Sequence, residues 1–340
     1  MQNILKMRTV LEELPPFCKE FFRGIEQYTS ARTRLAYAYD LRMFFEFLHE
    51  KNSACAKLEI SRIPLAYLDL LNRQDIEEYL EYMSLYQKDG RDITNTERGK
   101  SRKLATLRSF YNYFYKSEML KNNPASLVSL PKLHEKEIIR LEPNEVAILL
   151  DQVEDGTKLT KKELEYHKKT KVRDVALLTL LLGTGIRVSE CVGLDIHDID
   201  FNVCGIKIRR KGGYEAVVYF GEEVETALLD YLEERERIIP MEGHENAVFL
   251  SLQNRRMTVR AVENLVKKYA SRVTTLKKIT PHKLRSTYGT TLYQETGDIY
   301  LVADVLGHKD VNTTRKHYAA QQDERRRRAA QYVHLREEPK

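Results

Sequence analysis

The sequence predicts a mainly α protein in two parts: an all-helical N-terminal domain over residues 1–130 and a larger α+β domain over 144–318 containing a small antiparallel sheet. Three observations carry this reading. Apolar residues recur at helical spacing through most of the chain, whereas strand-like alternation appears in quantity only between about 200 and 220. A charged stretch bounded by prolines, 131–143, has no periodicity and reads as a linker. A length of 340 residues suits about two domains. With 42% hydrophobic residues there is enough apolar side chain for two cores, which excludes wholesale disorder.

In the N-terminal part, Ser30 and its neighbouring threonines supply caps for a helix carrying Leu35, Tyr39, Met43, Phe44 and Phe47. A second helix is expected from Asn72 to Met83 through Ile76, Tyr79 and Leu80. A third begins near Ser101, continues through Leu104, Leu107, Phe110, Tyr111 and Phe114, and is stopped by Asn123 and Pro124. The polar stretch Gln87 to Gly99 between the last two reads as a loop.

Beyond the linker a helix starts at Asn144, and the Lys-rich stretch 156–171 reads as an inserted loop or short helix. The most apolar segment follows, a buried helix from Asp174 to Leu182. Residues 200–210 and 215–220 read as a β-hairpin turning at Lys211, Gly212 and Gly213, with a third strand at Asp200–Asn202. Helices are then expected over 222–237, 258–272, 280–295 and 299–306, and a last helical tail over 319–340.

The longest apolar stretch, Val175 to Ile186, is broken by Thr179, Gly183, Thr184 and Gly185 and falls short of the ~18 residues a membrane span needs. The first fifteen residues carry charges instead of an apolar core, so no secretory signal is expected. Cys18, Cys55, Cys191 and Cys204 never approach metal-ligand or redox spacing, so no metal site is expected. A cytoplasmic location follows from this cysteine usage. The net charge of +6 says little, but its distribution says more. Residues 151–250 hold 14 basic and 20 acidic side chains, yet Lys207, Arg209, Arg210 and Lys211 form a basic knot within them. Residues 251–300 hold 10 basic and 3 acidic. Basic clusters set in acidic surface suit a protein that turns one face to a polyanion.

Four places carry chemistry. Thr280 and Pro281 should start a helix that brings His282 and Arg285 onto one face of its first turn, where unpaired N–H groups and the helix dipole favour a phosphate. Gly183 and Gly185 should end the buried helix and deliver Arg187 to the start of the next, with Glu190 placed to orient it. Lys211 sits in the hairpin turn. His308 should lie just beyond a helix end at Gly307, with Tyr318 ten residues later.

Arg187, Lys211, His282, Arg285, His308 and Tyr318 resemble, in order and spacing, the active site of the tyrosine recombinase (phage integrase) family. In the N-terminal part Thr33, Tyr37, Asp40, Leu41 and Phe44, then the run from Arg102 to Tyr111 and Asn123-Pro124, are similar to that family's core-binding domain. The resemblance spans roughly residues 16 to 330, without an added arm-binding domain.

The resemblance implies cutting and rejoining of double-stranded DNA at paired half-sites, with no cofactor or metal. Tyr318 would be the nucleophile, Arg187, Arg285 and His308 the grip on the phosphate, His282 the base and Lys211 the acid, with Glu190 in support. It also implies a homotetramer on two DNA sites, coupled by docking of the 319–340 tail onto a neighbour. Xer-type dimer resolution and mobile-element integration both fit. A type IB topoisomerase-like enzyme or a catalytically silent DNA-binding relative is the alternative.

Overall fold

The computed structural model describes residues 2–88, 90–130, 139–210, 213–308 and 311. Its contacts divide the chain into two compact units, Met1–Lys136 and Glu137–Lys340. The fold is helix-rich with small antiparallel sheets, as the sequence predicts.

The first unit runs α1 (Gln2–Glu12), α2 (Phe17–Gly24), α3 (Ala31–Lys51), α4 (Arg73–Tyr82), β1 (Leu85–Lys88), β2 (Arg91–Thr94), α5 (Glu97–Lys116) and α6 (Pro124–Leu127), with three-ten turns between α3 and α4. Local caps set several boundaries. The Ser30 hydroxyl accepts from the Thr33 N–H at 3.1 Å and starts α3. Asn72 and Asp75 close a reciprocal capping box on α4, with Asp75 Oδ2 accepting from the Asn72 N–H at 2.7 Å.

An aromatic core joins these helices. Phe21 and Phe110 meet edge-to-face at 5.1 Å between centroids, as do Phe44 and Tyr79 at 5.2 Å. Into this core the chain sends one carboxylate, Asp40, which is buried. A buried charge is costly unless it is paired. Arg102 answers with both Nη atoms, the Nη2 bond measuring 2.7 Å, and the Thr106 hydroxyl adds a third donor at 2.8 Å. The pair ties α3 to α5.

Two expectations change here. The stretch Gln87 to Gly99, expected as a loop, is largely taken up by a hairpin that starts before it, with Leu85 opposite Thr94 and Lys88 opposite Arg91, and by the start of α5. α1 was not foreseen; it buries Met7, Val10 and Leu11 against α3.

The second unit runs α7 (Pro143–Asp155), α8 (Lys161–His167), α9 (Lys171–Thr184), α10 (Val188–Gly193), β3 (Ile199–Asp200), β4 (Gly205–Arg209), β5 (Glu215–Tyr219), α11 (Glu222–Glu236), α12 (Val259–Val273), α13 (Pro281–Thr296) and α14 (Ile299–Leu306). α9 is its centre. Ala176, Leu177, Leu178, Leu180 and Leu181 are buried, and the helix packs against α7, α11 and α13. Leu141, inside the expected linker, is also buried in this core, and its N–H donates to the Thr287 hydroxyl at 3.0 Å.

β3, β4 and β5 form one antiparallel sheet in that order, with Gly205 opposite Tyr219 and Arg209 opposite Glu215. Among the described residues no helix is long and apolar enough to cross a membrane.

Candidate active site

The buried helix α9 does not end at both glycines. It runs through Gly183, where a side-chain carbon would come within 2.4 Å of Val224 in α11, so the missing Cβ serves close packing. Gly185 makes the turn. Its φ of +62° is the left-handed conformation that glycine adopts without strain, and its N–H closes the helix onto the Leu181 carbonyl at 3.2 Å. Two residues later Arg187 stands as the N-cap of α10.

Glu190 holds Arg187 by both ends. One carboxylate oxygen accepts from the Arg187 backbone N–H at 2.7 Å, and the other accepts from Nη1 at 2.8 Å. The Glu190 side chain is only 3% exposed while that of Arg187 is 35% exposed. The carboxylate is therefore the buried anchor, and the guanidinium keeps an open edge. Arg187 Nη2 donates further, to the Gly307 carbonyl at 3.3 Å.

α13 begins at Pro281, with Thr280 in the N-cap position. The Thr280 hydroxyl makes no cap bond, so its expected part in closing the first turn is not seen; its carbonyl does that work, accepting from Lys283 and Leu284 at 2.8 and 3.1 Å. His282 is exposed in that turn. Arg285, one turn on, is buried, with Nη1 donating to the Gly185 carbonyl at 2.6 Å and Nη2 to the Leu306 carbonyl.

α14 ends at Gly307, again left-handed with φ +61°. The Gly307 N–H returns to Asp304 and that of His308 to Ala303, both at 2.8 Å, which seats half-buried His308 directly past the helix end. A helix end leaves its last carbonyls without intrahelical donors. Here arginines add donors, alone or beside the backbone. Arg210 donates to the carbonyls of Asp304 at 3.2 Å and Val305 at 2.9 Å, Arg285 to that of Leu306, and Arg187 to that of Gly307. Four consecutive carbonyls are thus met by three guanidinium groups from three distant parts of the chain, and positive charge gathers at the negative end of a helix dipole.

The structure brings Arg187, Glu190, Arg285 and His308 together around this turn, and puts His282 one helical turn before Arg285. Lys211 and Tyr318 lie outside the described residues. Arg210 is a member of the cluster that sequence reasoning missed; the only signal was its place in the basic knot. The knot itself is partly spoken for, since Lys207 pairs with Glu215 at 2.8 Å on the exposed face of the hairpin. Nearby, Asp195, His197 and Asp198 bring their ligand atoms within 4.8 Å of one another. Asp195 is bound by Arg256, whose Nη1 also caps α10 at the Val192 and Leu194 carbonyls (3.1 and 2.8 Å). This group therefore braces the turn after α10.

Tyr288 packs beside the same centre: a side-chain carbon on Gly185 would lie 2.4 Å from its ring. Burial pushes the Tyr288 phenol above its ordinary value, so it remains a neutral packing group.

Residues 140–325 match the family model described as the phage integrase family, a span that holds every site position named above. The chain belongs to the phage integrase family. Among curated members, it is 33% identical to the tyrosine recombinase XerC of Caldanaerobacter subterraneus subsp. tengcongensis, over 88% of this chain and 82% of that one. It is 29% identical to the XerC of Leptospira interrogans over 89% and 88% of the two chains. Two solved structures of like fold are the XerH site-specific recombinase bound to a palindromic difH substrate and the Tn1549 transposon integrase in complex with circular intermediate DNA. The first has a TM-score of 0.67 at 20% identity, covering 97% of this chain and 95% of that one. The second has a TM-score of 0.66 at 20% identity, covering 93% and 99%.

Proposed function

We propose that the chain is a site-specific DNA recombinase that cuts and rejoins double-stranded DNA through a 3′-phosphotyrosine intermediate. The observation that carries this reading is the pair of guanidinium groups, Arg187 and Arg285, held on adjacent carbonyls of one helix end with His308 next in the chain. Family membership and the tyrosine recombinase relatives support it. The XerC names at about 30% identity favour an Xer-type role over mobile-element integration, and recombination over relaxation by a topoisomerase.

A phosphodiester resists attack because it is anionic and has a poor leaving group. Arg187 and Arg285 take the two non-bridging oxygens, and their donors act where charge grows in the transition state. His308 adds a third donor. The Tyr318 oxygen attacks phosphorus and forms the new P–O bond, while its phenolic proton passes to His282; an ordinary phenol, with a pKa of about 10, needs such a base. The bond from phosphorus to the 5′-oxygen breaks, and that oxygen takes a proton from Lys211 to leave as a hydroxyl. The phosphotyrosine keeps the ester bond, so a second 5′-hydroxyl can reverse the step on a new strand.

In this reading residues 1–130 form the core-binding domain, 131–143 the linker and 144–318 the catalytic domain. Four protomers assemble on two DNA sites, and the 319–340 tail docks on a neighbour. The protein works in the cytoplasm at the nucleoid.

The experiment is covalent capture. The full chain is mixed with a pool of nicked duplexes made from DNA of the source organism, and protein-linked fragments are recovered and sequenced. The expected product is one preferred site, with protein on a 3′-phosphate and a freed 5′-hydroxyl that a kinase labels without prior phosphatase treatment. An adduct on a 5′-phosphate, or none, would sink the proposal.

A further inference from the structure

The hairpin that carries Lys211 is fastened to the end of α14 by one side chain. β4 ends at Arg209, and Arg210 follows immediately. The backbone of Arg210 closes the hairpin, its N–H donating to the Tyr214 carbonyl at 2.7 Å and its carbonyl accepting from the Gly213 N–H at 3.1 Å. Its guanidinium crosses to α14 and donates to the carbonyls of Asp304 and Val305 at 3.2 and 2.9 Å. The fit is close: a Cβ on Gly307 would lie 2.1 Å from Arg210 Nη1, so the left-handed glycine before His308 also makes room for this side chain. The other basic residues of β4 do not share the task. Lys207 and Arg209 face Glu215 on the neighbouring strand, at 2.8 and 3.6 Å, in exposed pairs that contribute little.

We infer that Arg210 is a positioning residue for leaving-group protonation: it locks the hairpin to the turn that also holds Arg187, Arg285 and His308, and so sets Lys211 against the phosphate they grip. The inference rests on the proposed role of Lys211. Arg210 needs no contact with DNA for this. It acts through the residue next to it in the chain, because its two-point anchor fixes the end of the strand from which that residue follows. A misplacement of about 1 Å in a catalytic group can cost about 100-fold in rate. The helix-end carbonyls contribute as well, since they favour a cation at the negative end of the dipole. A lysine at 210 would keep the charge but cannot span two carbonyls with a planar fork.

The test uses the full chain and the duplex recovered by covalent capture, synthesised with either oxygen or sulfur at the 5′-bridging position of the scissile phosphate. A 5′-thiolate leaves without a proton, so a defect in protonation disappears on the sulfur substrate. Arg210→Ala and Lys211→Ala should both cleave the oxygen substrate slowly, Arg210→Ala by up to about 100-fold. Both should approach the wild-type rate on sulfur, with Arg210→Lys intermediate on oxygen and DNA binding unchanged throughout. Lys211→Ala restored by sulfur while Arg210→Ala stays slow on both substrates would overturn the positioning role and leave the Lys211 assignment standing. An Arg210→Ala enzyme as fast as wild type on oxygen would overturn it too. Failure of sulfur to restore Lys211→Ala would instead remove the acid role from Lys211, and the inference with it.

Discussion

Arg187 and Arg285 donate to adjacent carbonyls, Gly307 and Leu306, although one stands at the start of α10 and the other one turn into α13. Each has a second anchor, Glu190 for Arg187 and the Gly185 carbonyl for Arg285. Two guanidinium groups fixed in this way need little reorganisation when an anion arrives. That is the condition under which hydrogen-bond donors lower a barrier most.

Removing Arg285 outright would leave two carbonyls without their donor at a cost of about 1–3 kcal/mol, so lysine is the better probe. Arg187→Lys and Arg285→Lys should bind site DNA within a few-fold of wild type and cleave it about 100- to 1,000-fold more slowly. Cleavage rates and gel-shift affinities on the same duplex decide it. Equal losses in binding and cleavage would make the two residues ground-state anchors only.

Gly185 joins α9 to Arg187, and two penalties meet there. A left-handed residue with a Cβ costs about 1–2 kcal/mol, and the added carbon would press on the Tyr288 ring. Gly185→Ala should therefore lower stability in urea by at least about 1–2 kcal/mol. Gly185→Asn, which tolerates the conformation, should recover little because it meets the same ring. A fully tolerated asparagine would show that the ring contact is unimportant.

The helices were legible because their ends carry chemistry that works locally: Ser30 and Asn72 bond to their own first turns, and Pro281 starts α13 without needing a donor. The hairpin of β1 and β2 was not. Its strands are four residues each, and the exposed Arg91, Asp92 and Thr94 leave no alternation of apolar and polar to read. The glycines beside Arg187 were legible as a turn, but not that Gly183 would stay inside α9, since its role depends on Val224, 41 residues away. Side chains at the site were visible by type and order. The carbonyls that hold them were not, because a main-chain oxygen at 304–307 has no signature in sequence. Arg210 escaped notice for that reason: its partners are backbone atoms of a helix nearly a hundred residues away.

Glu163 gives a pH dependence with a definite sign. Its carboxylate accepts from the Thr160 N–H and hydroxyl, both at 2.8 Å, and from Arg272 at 3.1 Å, and these hold its pKa below the ordinary carboxylate value. A carboxyl whose folded pKa is lowered stabilises the fold above its unfolded value, and that contribution is lost as pH falls through the folded one. Glu163→Gln should therefore shift the urea midpoint at pH 7 and shift it far less at pH 3. Equal shifts at both values would mean that the charge plays no part.

In the proposed reaction one tyrosine becomes covalently joined to DNA held by Arg187 and Arg285. The test replaces Tyr318 with phenylalanine, with Tyr332→Phe, the next tyrosine along the chain, as the control, and measures covalent adduct on the captured nicked duplex. Tyr318→Phe should bind the duplex with wild-type affinity and form no adduct, while Tyr332→Phe should form it normally. An adduct that persists in Tyr318→Phe, or disappears in Tyr332→Phe, would contradict the proposed reaction.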